Sequence, residues 1–256
     1  MDQAGTLEAL LKRDRVFIIA GLAIFCLLAW AYTIYLALAM ESMGEMEMTT
    51  MQSWGVIDVG LLFVMWVVMM IAMMIPSASP MILLFARINR QRTLQERPFV
   101  PTSIFLGGYL LAWTGYSLLA TLAQWLLHDL ALLSPMMVST SALLGGGLFL
   151  AAGIFQLTPL KDTCLRHCRS PLSFLMSEWR EGARGALLMG LKHGSYCVGC
   201  CWILMALLFA AGVMNLYWVA GLALFVLLEK AIPRGVILSR AIGVFFILVG
   251  MALISS

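Results

Sequence analysis

Charge is what this 256-residue chain lacks: Asp, Glu, Lys and Arg together make up 11% of it, against 62% apolar residues. A soluble domain carries about a quarter charged residues. That excludes a water-soluble globule, a nucleic-acid-binding domain and a disordered tail. Histidine is scarce too, at three residues. No internal repeat or low-complexity linker appears, and the longest polar stretch is about 159–182. Common catalytic signatures are also missing: there is no Walker-type phosphate loop, no HExxH, no nucleophile elbow and no CxxCH haem-attachment motif. Nothing resembles an ATP-driven pump or a hydrolase.

Long apolar runs fill the chain instead, with a mean hydropathy of +0.96. A helix needs roughly 20 apolar residues to cross a bilayer core. The expected fold is all-α, a polytopic transmembrane helix bundle forming one integral membrane domain over residues 1–256. Seven spans are expected, at 16–40, 56–75, 103–127, 138–158, 183–213, 216–228 and 236–254. Pro76 and Pro80 should end or kink the second. The sixth is short for a span and reads equally as a re-entrant segment or a half-helix.

All 16 Lys and Arg residues fall into four groups. Lys12, Arg13 and Arg15 precede the first span, and Arg87, Arg90, Arg92 and Arg97 follow the second. Lys161, Arg166, Arg169, Arg180, Arg184 and Lys192 lie between the fourth span and the body of the fifth. Lys230, Arg234 and Arg240 separate the last two. Seven alternating spans put every group on one side, cytoplasmic by the positive-inside rule. The amino terminus is then inside and the carboxyl terminus outside. Glu41, Glu45, Glu47, Asp58 and Asp129 fall on the opposite face. Ala37-Leu38-Ala39 looks like a signal-peptide cleavage site. An apolar run of about 25 residues exceeds the usual 7–15 of such a peptide, so the first span reads as an uncleaved anchor.

Three clusters carry candidate chemistry. The first is Lys192-His193-Gly194-Ser195-Tyr196-Cys197-Val198-Gly199-Cys200-Cys201-Trp202. His193, Cys197 and Cys201 are spaced i, i+4, i+8, and Cys200 lies three beyond Cys197, so a helix gathers them on one side. Met189 and Met205 extend the ladder, drifting about 40° per step. Imidazole and thiolate suit Cu(I) or zinc. The plainer reading is that small residues let helices pack closely.

The second cluster is Pro159-Leu160-Lys161-Asp162-Thr163-Cys164-Leu165-Arg166-His167-Cys168-Arg169-Ser170-Pro171. A helical turn would place Cys164 and Cys168 on one face with His167 beside them, among cations that favour thiolate. A basic interfacial loop with incidental thiols is the alternative. A structural disulfide does not suit the reducing cytoplasmic side. This loop ends on the side where the fifth span begins. Cys164 and Cys168 are therefore expected to approach His193 and Cys197 and complete one site from two segments.

The third cluster is methionine. Met40, Met43, Met46, Met48 and Met51 alternate with glutamates in the first outer loop, and Met65, Met69 and Met73 form a ladder on the second span beside Met70 and Met74. Thioethers are soft ligands that select Cu(I), and an acidic methionine-rich mouth would make a copper entry route. Methionine is equally a flexible core filler. Asp58, just inside the second span, is either a functional acid or an interfacial one. Glu229 and Lys230 are expected to form an ion pair with each other at the end of the sixth span. Cys26 reads as packing.

The runs MWVVMMIAMMIP, PLKDTCLRHCRSP and GSYCVGCCWILMALLFAAGVMNLYW together resemble an uncharacterised bacterial family. Its members are described as predicted metal-binding integral membrane proteins, some of them labelled copper chaperones. The resemblance covers about 54–230. It implies a multi-pass inner-membrane protein with a metal site at Cys164, Cys168, Cys197, Cys200 and Cys201.

Three functional readings follow. The first is a protein that binds Cu(I), or alternatively zinc, through thiolates and His193, and exchanges it with a metal-donor or metal-acceptor protein. The second is a membrane thiol–disulfide oxidoreductase using Cys197-x-x-Cys200. The third is an accessory subunit of a membrane complex or oligomer, its cysteines serving only to pack helices.

Overall fold

The computed structural model describes residues 3–44, 55–93, 95, 99–130 and 141–255, with the side chains of the first helix described from Arg15 to Met40. All regular structure among them is helical: α1 (Gln3–Gly44), α2 (Val56–Thr93), α3 (Thr102–Asp129), α4 (Ala142–Gln156), α5 (Pro159–Arg169), α6 (Pro171–Glu178), α7 (Gly182–Ala206), α8 (Leu208–Ala211), α9 (Leu216–Ala231) and α10 (Gly235–Ser255). An all-α bundle is what the apolar runs called for. The polar stretch at 159–182 forms the two short helices α5 and α6. Each begins at a proline, whose missing N–H costs nothing in a helix's first turn.

Five segments are long and apolar enough to cross a bilayer: Arg15–Met40, Val56–Thr93, Thr102–Asp129, Gly182–Ala211 and Gly235–Ser255. A sixth appears if α4 and α5, bent by 66° at their junction, count as one span. The expectation of seven meets a length limit here. At 15 and 16 residues, α4 and α9 reach only about 22–24 Å, against a hydrocarbon core of about 30 Å. Outward-facing Phe17, Leu27, Leu28 and Tyr35 on α1 remain exposed, as a lipid-facing helix requires.

Pro76 and Pro80 lie inside α2, and the helix runs on through both to Thr93. Each proline strips the carbonyl four residues back of its usual donor. Trp30 Nε1 of α1 donates to the freed Ala72 carbonyl at 3.0 Å, with Cys26 Sγ at 3.6 Å. The freed Pro76 carbonyl accepts from Ser79 Oγ at 2.8 Å. Side chains thus satisfy polar groups that no water reaches in a membrane. Cys26 therefore has a bonding role as well as a packing one.

Glycines set the closest helix contacts. A Cβ at Gly108 would overlap the Leu187 carbonyl, and one at Gly190 would overlap that of Phe105. Such small residues let membrane helices touch backbone to backbone. The pairs Phe105–Gly190, Tyr109–Gly194 and Tyr116–Trp202 advance together along both chains, so α3 and α7 run parallel. Gly146 meets Gly250 and Gly153 meets Gly243, so α4 and α10 run antiparallel. Between α8 and α9 the chain turns at Gly212 with φ 98°, a backbone region that disfavours side chains. Asn215 then caps α9 by accepting from the Tyr217 and Trp218 amides at 3.1 and 3.4 Å.

Candidate metal centre

The parallel pairing of α3 with α7 turns the inner stripe of α7 toward the bundle interior. His193, Cys197, Cys200 and Cys201 on that stripe are all buried. On the other segment, α5 inserts Cys168 among them. The Cys168 thiol lies near the sulfurs of Cys197 and Cys200, and Cys197 lies near those of Cys200 and Cys201. The expected meeting of the two segments takes place. Four buried sulfurs share one interior volume.

Cys164 sits at the rim. It is half-buried, and its Sγ passes 3.1 Å from where a Cβ would stand on Gly199. That approach puts it beside Cys200. The thiols are thus graded from a partly exposed one to four enclosed ones.

Cys197 is the hub. Lys230 Nζ of α9 lies 2.9 Å from its sulfur, and the Tyr109 hydroxyl of α3 lies 3.1 Å from it. Lys230 also donates to Ser77 Oγ at 3.1 Å, and the Tyr109 hydroxyl reaches the Met74 carbonyl at 3.4 Å. Five helices therefore meet here, and α2 does so at its proline-bearing stretch. The Cys197 carbonyl accepts from Cys200 Sγ at 3.1 Å and from Cys201 Sγ at 2.9 Å. Both are the short-range side-chain-to-backbone bonds that a polar group makes inside a helix.

Tyr109 and Ser77 carry no sequence signal for this site, and the expected Glu229–Lys230 ion pair does not form. Glu229 turns away to Lys161, whose Nζ lies 2.8 Å from Oε1, with both side chains fully buried. Successive residues on a helix point about 100° apart, so neighbours cannot share a face. That rule was the available signal that the two charges serve different partners.

His193 is 3% exposed and packs with Phe105, Tyr109 and Phe174, at ring separations of 6.4, 5.8 and 5.5 Å. Among the described residues, its Nδ1 has no hydrogen-bond partner. It borders the thiols without bonding to them. His167 does not join the cluster: its ring stacks on Tyr196 at 4.2 Å, and its Nδ1 donates to the Thr163 carbonyl at 2.9 Å. Met65, Met69 and Met73 are buried in α2 along with Met70 and Met74. Both ladders are interior, as core filling requires. Met46 and Met48 lie outside the described residues, as does the Met43 side chain. Asp58 is exposed and accepts from the Gly55 amide at 2.8 Å, a bond that closes the start of α2.

The donor set is soft and free of carboxylates, which fits Cu(I) better than a hard cation. Among the described residues, no three His, Cys, Asp or Glu side chains form a preformed ligand group. A tetrahedral zinc site needs four converging donors. Linear Cu(I) needs only two thiolates.

Residues 63–253 match the model of a family, PpoB2, described as a copper chaperone. The chain belongs to that family. The match takes in α3–α10 and most of α2, so every thiol of the cluster lies within it, and it agrees with the resemblance carried by the three motifs. No curated protein and no solved structure matches the chain.

Proposed function

We propose that this protein binds Cu(I) as cargo in the bilayer and exchanges it with a partner protein on the cytoplasmic side. The observation that carries the reading is the burial of Cys168, Cys197, Cys200 and Cys201 close together in the bundle interior, brought there from two segments distant in sequence. A single stretch of helix with incidental cysteines would not recruit a thiol from α5. The copper chaperone family supports the choice of metal.

In this reading Cys168 and Cys197 hold Cu(I), with Cys200 able to make the site trigonal. Cys201 and the orphaned imidazole of His193 flank it. Cys164 at the rim receives the ion from a donor thiolate or hands it to an acceptor. Each transfer is a ligand exchange: one copper–sulfur bond forms as another breaks, with no change of oxidation state. Coordination number favours Cu(I) over zinc, since two thiolates suffice for Cu(I) and a structural zinc site needs four converging donors.

The cytoplasmic assignment rests on the positive-inside rule. We place the amino terminus inside, with α4 and α9 as short return crossings, in the bacterial inner membrane. The parallel run of α3 and α7 supports this, since a return must lie between them. The antiparallel run of α4 and α10 supports a second return through α9.

The closeness of the same sulfurs also favours a second reading, thiol–disulfide exchange. Metal analysis of protein purified anaerobically in reductant, with and without Cys197→Ser/Cys200→Ser, separates the two. About one copper per chain that the double variant lacks is the expected result. A parent without copper even after Cu(I) loading, yet with oxidisable Cys197 and Cys200, would replace the metal reading with the redox one.

A further inference from the structure

Lys230 is an intramembrane cation whose contacts are neutral hydroxyl and thiol groups. Among the described residues no carboxylate pairs with it, because its neighbour Glu229 is taken by Lys161. Its ammonium contacts Ser77 Oγ and Cys197 Sγ. A charge in an apolar interior is costly unless it is matched. Among the described residues, the group that can carry a matching charge beside it is the Cys197 thiol. The end of α9 also suits a cation, since Lys230 lies in the last turn, where the helix dipole is negative.

We infer that Lys230 is the counter-cation of the bound metal, its ammonium cancelling the negative charge left when two thiolates hold one Cu(I). The argument rests on the Cu(I) reading above and extends it to a residue outside the ligand set. Two thiolates carry two negative charges and Cu(I) one positive charge, so the complex is an anion inside the membrane. Lys230 brings the total to zero. A divalent ion on the same two thiolates would already be neutral, and Lys230 would then leave an unmatched positive charge. The residue therefore acts on metal choice as well as affinity, by electrostatics and not by ligation.

The test uses the full chain in detergent as wild type, Lys230→Gln and Lys230→Arg. Each is titrated anaerobically with Cu(I) against a chromogenic Cu(I) chelator, and with Zn(II) against a zinc chelator. Thermal unfolding of each metal-free protein is followed in parallel. Lys230→Gln should bind Cu(I) at least roughly tenfold more weakly, as expected when a half-buried cation beside a buried thiolate is lost. Lys230→Arg should restore most of that loss, and Zn(II) binding should fall less than Cu(I) binding or rise. Equal Cu(I) affinity in Lys230→Gln and wild type overturns the inference. So does an equal loss for both metals, which would mark a structural role. If no protein binds zinc, the copper ratio and its rescue by arginine decide. A wild type that binds no Cu(I) removes the proposed function itself, and the inference with it.

Discussion

Lys161 and Glu229 meet at 2.8 Å with neither side chain exposed, joining α5 to α9. Lys161 Nζ also lies 5.9 Å from the Phe225 ring. Further links tie α5 to the same region. Arg169 donates to the Ile232 and Pro233 carbonyls at 2.6 Å each, and Arg240 reaches Asp162 at 3.3 Å. The helix that delivers Cys168 is thus anchored through charge, and the pair at its centre is fully desolvated.

Removing one partner leaves the other charge buried and unmatched. Lys161→Met or Glu229→Gln alone should destabilise the protein by about 3–5 kcal/mol, seen as a lowered unfolding midpoint in detergent. Lys161→Met/Glu229→Leu should recover most of that loss, since an apolar pair of similar volume often replaces a buried ion pair at little cost. A double variant as unstable as the single ones would show that α5 depends on the charges themselves.

Helix approach at Gly190 offers a test by volume. Gly190→Ala drives a methyl into the Phe105 carbonyl, a backbone group that cannot rotate away. Overpacking should cost about 1–3 kcal/mol or more and lower metal loading by moving Tyr109 off Cys197. Gly107→Ala is the control: nothing lies within 4 Å of that Cβ, and mid-helix alanine should be neutral or gain up to about 1 kcal/mol. Equal unfolding midpoints for the two variants would contradict the close α3–α7 contact.

Trp30 and Pro76 should be energetically coupled through the Ala72 carbonyl. Trp30→Phe removes its 3.0 Å donor and should cost about 1–3 kcal/mol, the penalty for an unsatisfied buried acceptor. In a Pro76→Ala background the helix supplies its own donor, so the same change should cost much less. A double-mutant cycle on unfolding midpoints measures the difference. Additive effects would mean that Trp30 acts through packing alone.

The rim position of Cys164 predicts ordered thiol reactivity. A water-soluble maleimide should modify Cys164 before Cys168, Cys197, Cys200 and Cys201, the four buried thiols of the cluster. In a Cys26→Ser background, since Cys26 is also partly exposed, mass spectrometry over time should show one fast adduct, lost in Cys164→Ser. Prior Cu(I) loading should slow modification of the buried set. Simultaneous labelling of all five thiols would show that the pocket opens freely.

The part of the site carried by a single helix was legible in the sequence, because helical spacing alone places His193, Cys197 and Cys201 on one side. The approach of Cys168 was legible too, from topology: its segment ends where α7 begins. Partners from α2, α3 and α9 were not legible, because Ser77, Tyr109 and Lys230 are joined to Cys197 only by the packing of distant segments. His167 looked equivalent to Cys168 in sequence, yet one residue of helical rotation sends it to Tyr196 instead. The span count depended on segments near the length threshold. For α4 and α9, apolar composition alone says little about how deeply a short helix sits.

X-ray absorption at the copper edge of the Cu(I)-loaded protein tests the central claim most directly. The account predicts a first shell of two or three sulfur atoms, with sulfur lost in Cys168→Ser and in Cys197→Ser. A shell of nitrogen and oxygen atoms, or a sulfur shell unchanged by both substitutions, would contradict it.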